Sequence, residues 1–174
     1  MIGKPFNLLR TTAAFALAGA PFIGVSGTEA ATGAGTGSAT LLAPLSVVKT
    51  EDLDFGSLIS SATAGTATVN ASTDARTTAG GVIPAGGAPM AAHFTAAGRV
   101  GALALIALPA SITVTRGGGS ETMTITSLSS NGATLRVLPL TGIIDVAVGG
   151  TLNVAANQVA GAYSGTFTVN ILYF

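Results

Sequence analysis

The sequence predicts an all-β fold: one antiparallel β-sandwich of about seven to ten short strands joined by frequent turns. Three observations carry that expectation. Beyond residue 30 the chain is rich in Thr, Val, Ala, Ser and Gly and poor in Glu, Lys and Gln, and β-branched side chains fit a pleated surface better than a helix. Apolar and hydroxyl residues alternate with period two in several stretches, which puts them on opposite faces of a sheet. Pairs of Gly, Asn-Gly and Pro punctuate those stretches. No segment after residue 30 carries a helical period.

The amino-terminal thirty residues are read apart from the fold. Lys4 and Arg10 charge the beginning, Thr11 to Val25 is free of charge, and Ala13 to Ala20 is wholly apolar. Thr28-Glu29-Ala30 offers a small-x-Ala cleavage site before Ala31. An apolar core of about 15 residues suits a signal peptide and falls short of the ~20 that span a bilayer. A retained membrane anchor is the alternative, and Pro21 and Gly24 favour cleavage. The expected organisation is a signal peptide over 1–30, a Gly/Thr/Ala-rich leader over 31–38 and one domain over 39–174. The protein is therefore expected to be exported, to the periplasm, the cell surface or beyond, with no membrane span left after cleavage.

The first element of the domain is a strand in which Ala39, Leu41, Ala43, Leu45 and Val47 share one parity. Pro44 lacks an N–H and places this strand at a sheet edge or a strand end. Further along, Ile112, Val114, Met123 and Ile125 alternate with threonines. Asn131-Gly132 lies between Thr124–Leu128 and Thr134–Leu138, which reads as a hairpin closed by a primed turn. Val100 to Leu108 is apolar on both parities and is expected deep at the centre of a sheet. Its apolar run of eleven residues, Val100 to Ala110, is too short to cross a membrane. Tyr163 to Ile171 alternates throughout and reads as one closing strand.

The composition excludes several functions. Seven Lys+Arg balance seven Asp+Glu, and only 8% of residues are charged, so the chain lacks the basic patch that nucleic acid requires. The absence of Cys excludes disulfides, thiolate nucleophiles and cysteine zinc sites. A mean hydropathy of +0.66 argues against disorder. The single histidine, His93, would have to serve any Ser-His-Asp triad, and its surroundings read as an ordinary strand. Glu51, Asp52 and Asp54 supply the oxygen ligands calcium wants, yet alternate with Leu53 and Phe55 as in a strand with its acids in water. Gly33 to Gly37 is glycine-rich without the strand and helix of a phosphate loop. Asn70-Ala71-Ser72 matches a glycosylation sequon, expected to stay unmodified. No catalytic, cofactor or metal site is expected.

Pro44-Leu45-Ser46, Leu53-Asp54-Phe55-Gly56, Leu108-Pro109-Ala110-Ser111-Ile112-Thr113, Gly149-Gly150-Thr151-Leu152-Asn153-Val154 and the end from Asn157-Gln158 through Gly161 to Val169, in that order, resemble a secreted bacterial family known as domain of unknown function 4402. The ending also resembles pilins of the chaperone–usher route, including archaic and spore-coat-U-like branches. Tyr173 is penultimate and Gly161 is fourteenth from the carboxyl end, while Tyr163, Phe167, Val169, Ile171 and Tyr173 share one parity. The chain departs from many pilins in having no disulfide, and its leader is richer in Gly than a typical donor strand. The resemblance implies an immunoglobulin-like or pilin-like sandwich with Greek-key connections. It also implies a periplasmic chaperone and usher as partners, and head-to-tail self-association.

The physical logic is that a sandwich lacking one strand exposes an apolar groove and an unpaired edge, which a neighbour's strand satisfies through backbone pairing and alternate side chains in pockets. Leu41, Leu45 and Val47 are the large candidates for such pockets, each worth roughly 1.5–3 kcal/mol when buried; Ala39 and Ala43 are the small ones. Such a contact does not close and builds filaments. The expectation is a non-enzymatic structural surface protein. The alternative is a self-contained secreted sandwich that binds a glycan or envelope ligand, with its leading strand folded back in cis.

Overall fold

The computed structural model describes residues 45–174. The signal peptide, the leader and Ala39, Leu41 and Ala43 of the candidate donor strand lie outside the described residues. These form thirteen strands and no helix. In chain order they are β1 (Ser46–Glu51), β2 (Leu58–Ile59), β3 (Gly65–Val69), β4 (Arg76–Gly80), β5 (Ile83–Pro84), β6 (Ala92–Ala97), β7 (Leu103–Ala107), β8 (Ile112–Arg116), β9 (Thr122–Ser130), β10 (Leu135–Val137), β11 (Ile143–Val154), β12 (Tyr163–Ser164) and β13 (Asn170–Tyr173). Three are only two residues long, so the expected seven to ten strands correspond to the longer ones. Every pairing is antiparallel.

The larger sheet runs β1-β6-β11-β9-β8-β12, with β3 on β11 and β4 on β3. The smaller runs β10-β7-β13, and β2 with β5 makes a third, two-stranded piece. The spine is β11, twelve residues long. Its first half pairs with β6 and its second half with β3, while β9 takes the other side. At the junction, a Cβ on Gly149 would collide with the Val69 carbonyl, and one on Gly150 would press within 2.9 Å of Ile125. Close backbone approach requires both glycines. Opposite Gly150, β9 carries an extra residue: Ser127 sits at φ 52 and Leu128 packs on both halves of the core, the geometry of a β-bulge.

Two apolar clusters result. One gathers Phe55, Val69, Val82, Ile112, Val114, Ile125, Leu152 and Val154. The other lies between the two main sheets, with Phe94 and Ala96 of β6, Ala104 and Ile106 of β7, and Ile144, Val146 and Val148 of β11. Leu53, Leu128 and Phe167 join them, and Phe167 meets Phe94 edge-on at 6.1 Å between ring centres. This is a β-sandwich-like arrangement whose core follows the period-two patterns in the sequence.

Three expectations need correction. Asn131-Gly132 closes no hairpin: β9 pairs with β8 and β11, β10 pairs with β7, and neither turn residue has the positive φ a primed turn needs. The segment instead carries the chain from one sheet to the other. There the Arg136 guanidinium donates to the carbonyls of Ala133 (2.8 Å) and Asp145 (3.0 Å), to Asn131 Oδ1 (2.9 Å) and to Ser130 Oγ (3.2 Å). Val100 to Leu108 contains the central strand of the small sheet, β7, yet only Ala102, Ala104 and Ile106 are buried; Leu103, Leu105 and Ala107 face outward. Tyr163 to Ile171 is not one strand. It divides into β12 and β13, in different sheets, with Gly165 to Val169 crossing between them. A Cβ on Gly165 would collide with the Thr113 carbonyl as the chain leaves β8.

Candidate functional site

The register of the small sheet builds its outer face. Leu105 of β7 lies opposite Leu135 of β10 and Leu172 of β13, and Leu103 lies opposite Val137. Phe174 exchanges both backbone hydrogen bonds with Leu103, at 2.9 and 3.3 Å, and so extends that row. Directly opposed residues on antiparallel strands point to the same side. The outcome is two rungs of three apolar side chains, Leu135–Leu105–Leu172 and Val137–Leu103–Phe174. All six are exposed, from 36% for Leu105 to 75% for Phe174. The same strands send Ala104, Ile106 and Ile171 inward to the core. Apolar side chains on both faces of a sheet match a two-sided burial pattern, but here the six outer ones are exposed.

A separate feature is a cleft of about 350 Å³ lined by Thr50, Glu51, Asp74, Met90, His93, Phe94, Thr95 and Asp145. Asp74 holds φ 57 in the turn after β3, and its Oδ1 accepts from the Ala91 N–H at 2.9 Å and faces His93 Nε2 at 3.3 Å. The Ala91 N–H, assisted by His93, holds the Asp74 carboxyl below its ordinary value against a smaller opposing effect of desolvation. Thr95 donates to Asp145 at 3.0 Å. These contacts tie neighbouring strands together, with His93 partnered by the Asp74 carboxylate.

The residues singled out in the sequence fall as follows. Glu51, Asp52 and Asp54 do not converge: Glu51 lines the cleft, Asp52 pairs with Lys49, and Asp54 accepts from the Gly56 N–H at 2.7 Å. Among the described residues no group of three metal-ligating side chains forms. Asn70 Oδ1 accepts from the N–H groups of Ser72 and Thr73, so the sequon is a side-chain-closed turn. Leu45 packs on the core between the sheets, and Val47 lies in β1 opposite Ala96. Both are thus engaged within their own chain.

At the other end, Tyr163, Phe167, Val169, Ile171 and Tyr173 are the half-buried members of the closing segment, and their intervening neighbours are exposed. Phe167, Val169 and Ile171 pack on the core between the sheets. Tyr163 Oη donates to the Val159 carbonyl at 2.7 Å and accepts from Gln158 Nε2 at 2.8 Å. Gly161, at φ 155, lies under the stem of Arg116, where a Cβ would come within 2.8 Å of Cδ. Arg116 Nε in turn donates to Glu121 at 2.7 Å across the β8–β9 turn.

What the sequence reading missed is the outer face. Leu103, Leu105, Leu135, Val137, Leu172 and Phe174 were not grouped, because only register joins three strands that are far apart in the chain. The available signal was the apolar character of Val100 to Leu108 on both parities.

The chain belongs to the family described as Domain of unknown function (DUF4402), whose model matches residues 45–173. Searches among curated proteins and among solved structures return no significant match.

Proposed function

We propose that this family member is an exported, non-enzymatic structural protein of the cell surface, a pilin-like subunit that joins its neighbours by strand addition. The observation that carries the reading is the place where the chain enters the domain. Its first strand, β1, is an edge: among the described strands it pairs with β6 alone, and all six of its residues are exposed. The apolar positions Ala39, Leu41 and Ala43 immediately precede it. A segment leaving a sandwich from an edge strand is well placed to pair with a second molecule, where ladder hydrogen bonds supply affinity and alternate side chains supply specificity. Because Leu45 and Val47 are used in cis, the donor portion is residues 31–44. A periplasmic chaperone and an outer-membrane usher are the partners this assembly calls for.

The test is electron microscopy and sedimentation of the protein recovered from an exporting host. The expected result is filaments or a ladder of oligomers, lost on deletion of residues 31–44 and restored when a peptide of that sequence is supplied. Intact protein that never assembles with chaperone and usher present, or a deletion that assembles equally well, refutes the reading. The polar cleft supports a second reading, a self-contained binding module. In that case the intact protein stays monomeric, and Asp145→Ala abolishes glycan or envelope binding while circular dichroism shows the fold retained.

A further inference from the structure

We infer that the outer face of the small sheet is a second, lateral contact, in which two copies of this chain stack β10-β7-β13 face to face about a two-fold axis. This inference does not depend on strand addition. At their observed exposures, Leu103, Leu105, Leu135, Val137, Leu172 and Phe174 present on the order of 600 Å² of apolar surface, the top of the range for the largest patch on a single-copy protein. Full occlusion of two such faces removes about 1,200 Å² together, the lower limit of the class of specific stable contacts.

The chemistry of the face favours a like partner. No outward residue of the three strands is charged: Ala107 and Asn170 complete the face beside the two apolar rungs, and the one charged residue in these strands, Arg136, turns back to Asp145 and Asn131. A positive or negative partner has nothing to recognise there. Beyond residue 30 five basic residues stand against six acidic ones, so copies meet with little mutual repulsion. The rungs are also self-matching. A two-fold in the contact plane, perpendicular to β7 and passing between the rungs, sets the Val137–Leu103–Phe174 rung over the Leu135–Leu105–Leu172 rung of the other copy. Stacked sheets then interdigitate at the ordinary spacing of about 10 Å. An isologous contact of this kind closes on itself and yields dimers.

The experiment is sedimentation equilibrium on the protein recovered from an exporting host, with Leu105→Glu, Leu172→Glu and the deletion of residues 31–44 alongside. Circular dichroism confirms that each variant folds. The expected result is that the deletion, in which strand addition is removed, runs at twice the monomer mass, and that adding either glutamate substitution to it halves that mass. Intact protein that is monomeric at every concentration overturns the inference. So does a dimer that survives both glutamate substitutions. A dimer lost on deletion but kept in Leu105→Glu also overturns it and assigns the association to strand addition. Intact protein that is monomeric and dimerises only after deletion overturns it too, and assigns the face to the chain's own leader.

Discussion

Arg136→Ala tests the crossing between the sheets. The guanidinium donates four hydrogen bonds, to Ala133, Asp145, Asn131 and Ser130, and it is half-buried, with burial drawing its pKa down. A hydrogen bond from a charged donor contributes about 1.5–3 kcal/mol when shielded and less where water replaces it. Three of these four acceptors are solvent-reached and regain water, so the loss should be about 2–4 kcal/mol in urea unfolding at neutral pH. For a domain of this size that lowers Tm by roughly 4–14 °C. Arg136→Lys should recover less than half of the loss, because one ammonium cannot fill the positions of a planar fork. The assay is urea denaturation followed by far-ultraviolet circular dichroism, with an unchanged slope required so that the midpoint reports stability. A loss below about 1 kcal/mol, or full recovery by lysine, refutes the idea that this fork fixes the passage from β9 to β10.

Three further outcomes follow from the geometry. Gly161→Val should cost about 1–3 kcal/mol, because φ 155 is closed to a β-branched residue and its Cβ meets the Arg116 stem; an unchanged urea midpoint refutes this. Asp74 and Glu121 have lowered carboxyl pKa values, Asp74 chiefly through the Ala91 N–H and Glu121 chiefly through the Arg116 hydrogen bond. Their contribution is complete above the ordinary values of 3.8 and 4.5 and is lost as pH falls through the folded ones. Stability should therefore decline on acidification below about pH 4.5, and Asp74→Asn with Glu121→Gln should flatten that decline. Tyr163→Phe should cost about 1 kcal/mol while keeping the ring in the core, since it removes both bonds of the hydroxyl; urea titration detects it, and no change refutes it.

What the sequence made legible was periodicity. Ile112 and Val114 point inward with threonines outward, and the five residues of shared parity from Tyr163 to Tyr173 are the half-buried ones. Local pattern sets which side chains share a face, and that survives whichever sheet a segment joins. Sheet membership did not survive. Asn131-Gly132 has the composition of a tight hairpin, yet the partner of β10 is β7, and the fork of Arg136 holds a wider passage that no dipeptide signals. The closing stretch alternates without interruption, so its change of sheet near Gly165 is invisible until the Thr113 carbonyl is placed beside it. Leu103 and Leu105 read as core because an apolar residue does not declare which side of its strand faces another layer. Their neighbours Leu135 and Leu172 are set by register alone.

The central position of β11 has a kinetic consequence. Thr68 meets Thr151 across 83 residues of chain and Thr95 meets Asp145 across 50, so the earlier strands wait for one late segment before their ladders can close. Loop closure of that length must be met before any of those contacts repays it, which places such topologies among the slow folders, in milliseconds to seconds. Until Ile143–Val154 arrives, β3 and β6 have bare flanks that invite the wrong companion. A nascent copy of this polypeptide is therefore at its most vulnerable before Ile143–Val154 is in place, and a protein that shields strand flanks during that interval would raise its yield more than any substitution in the finished core.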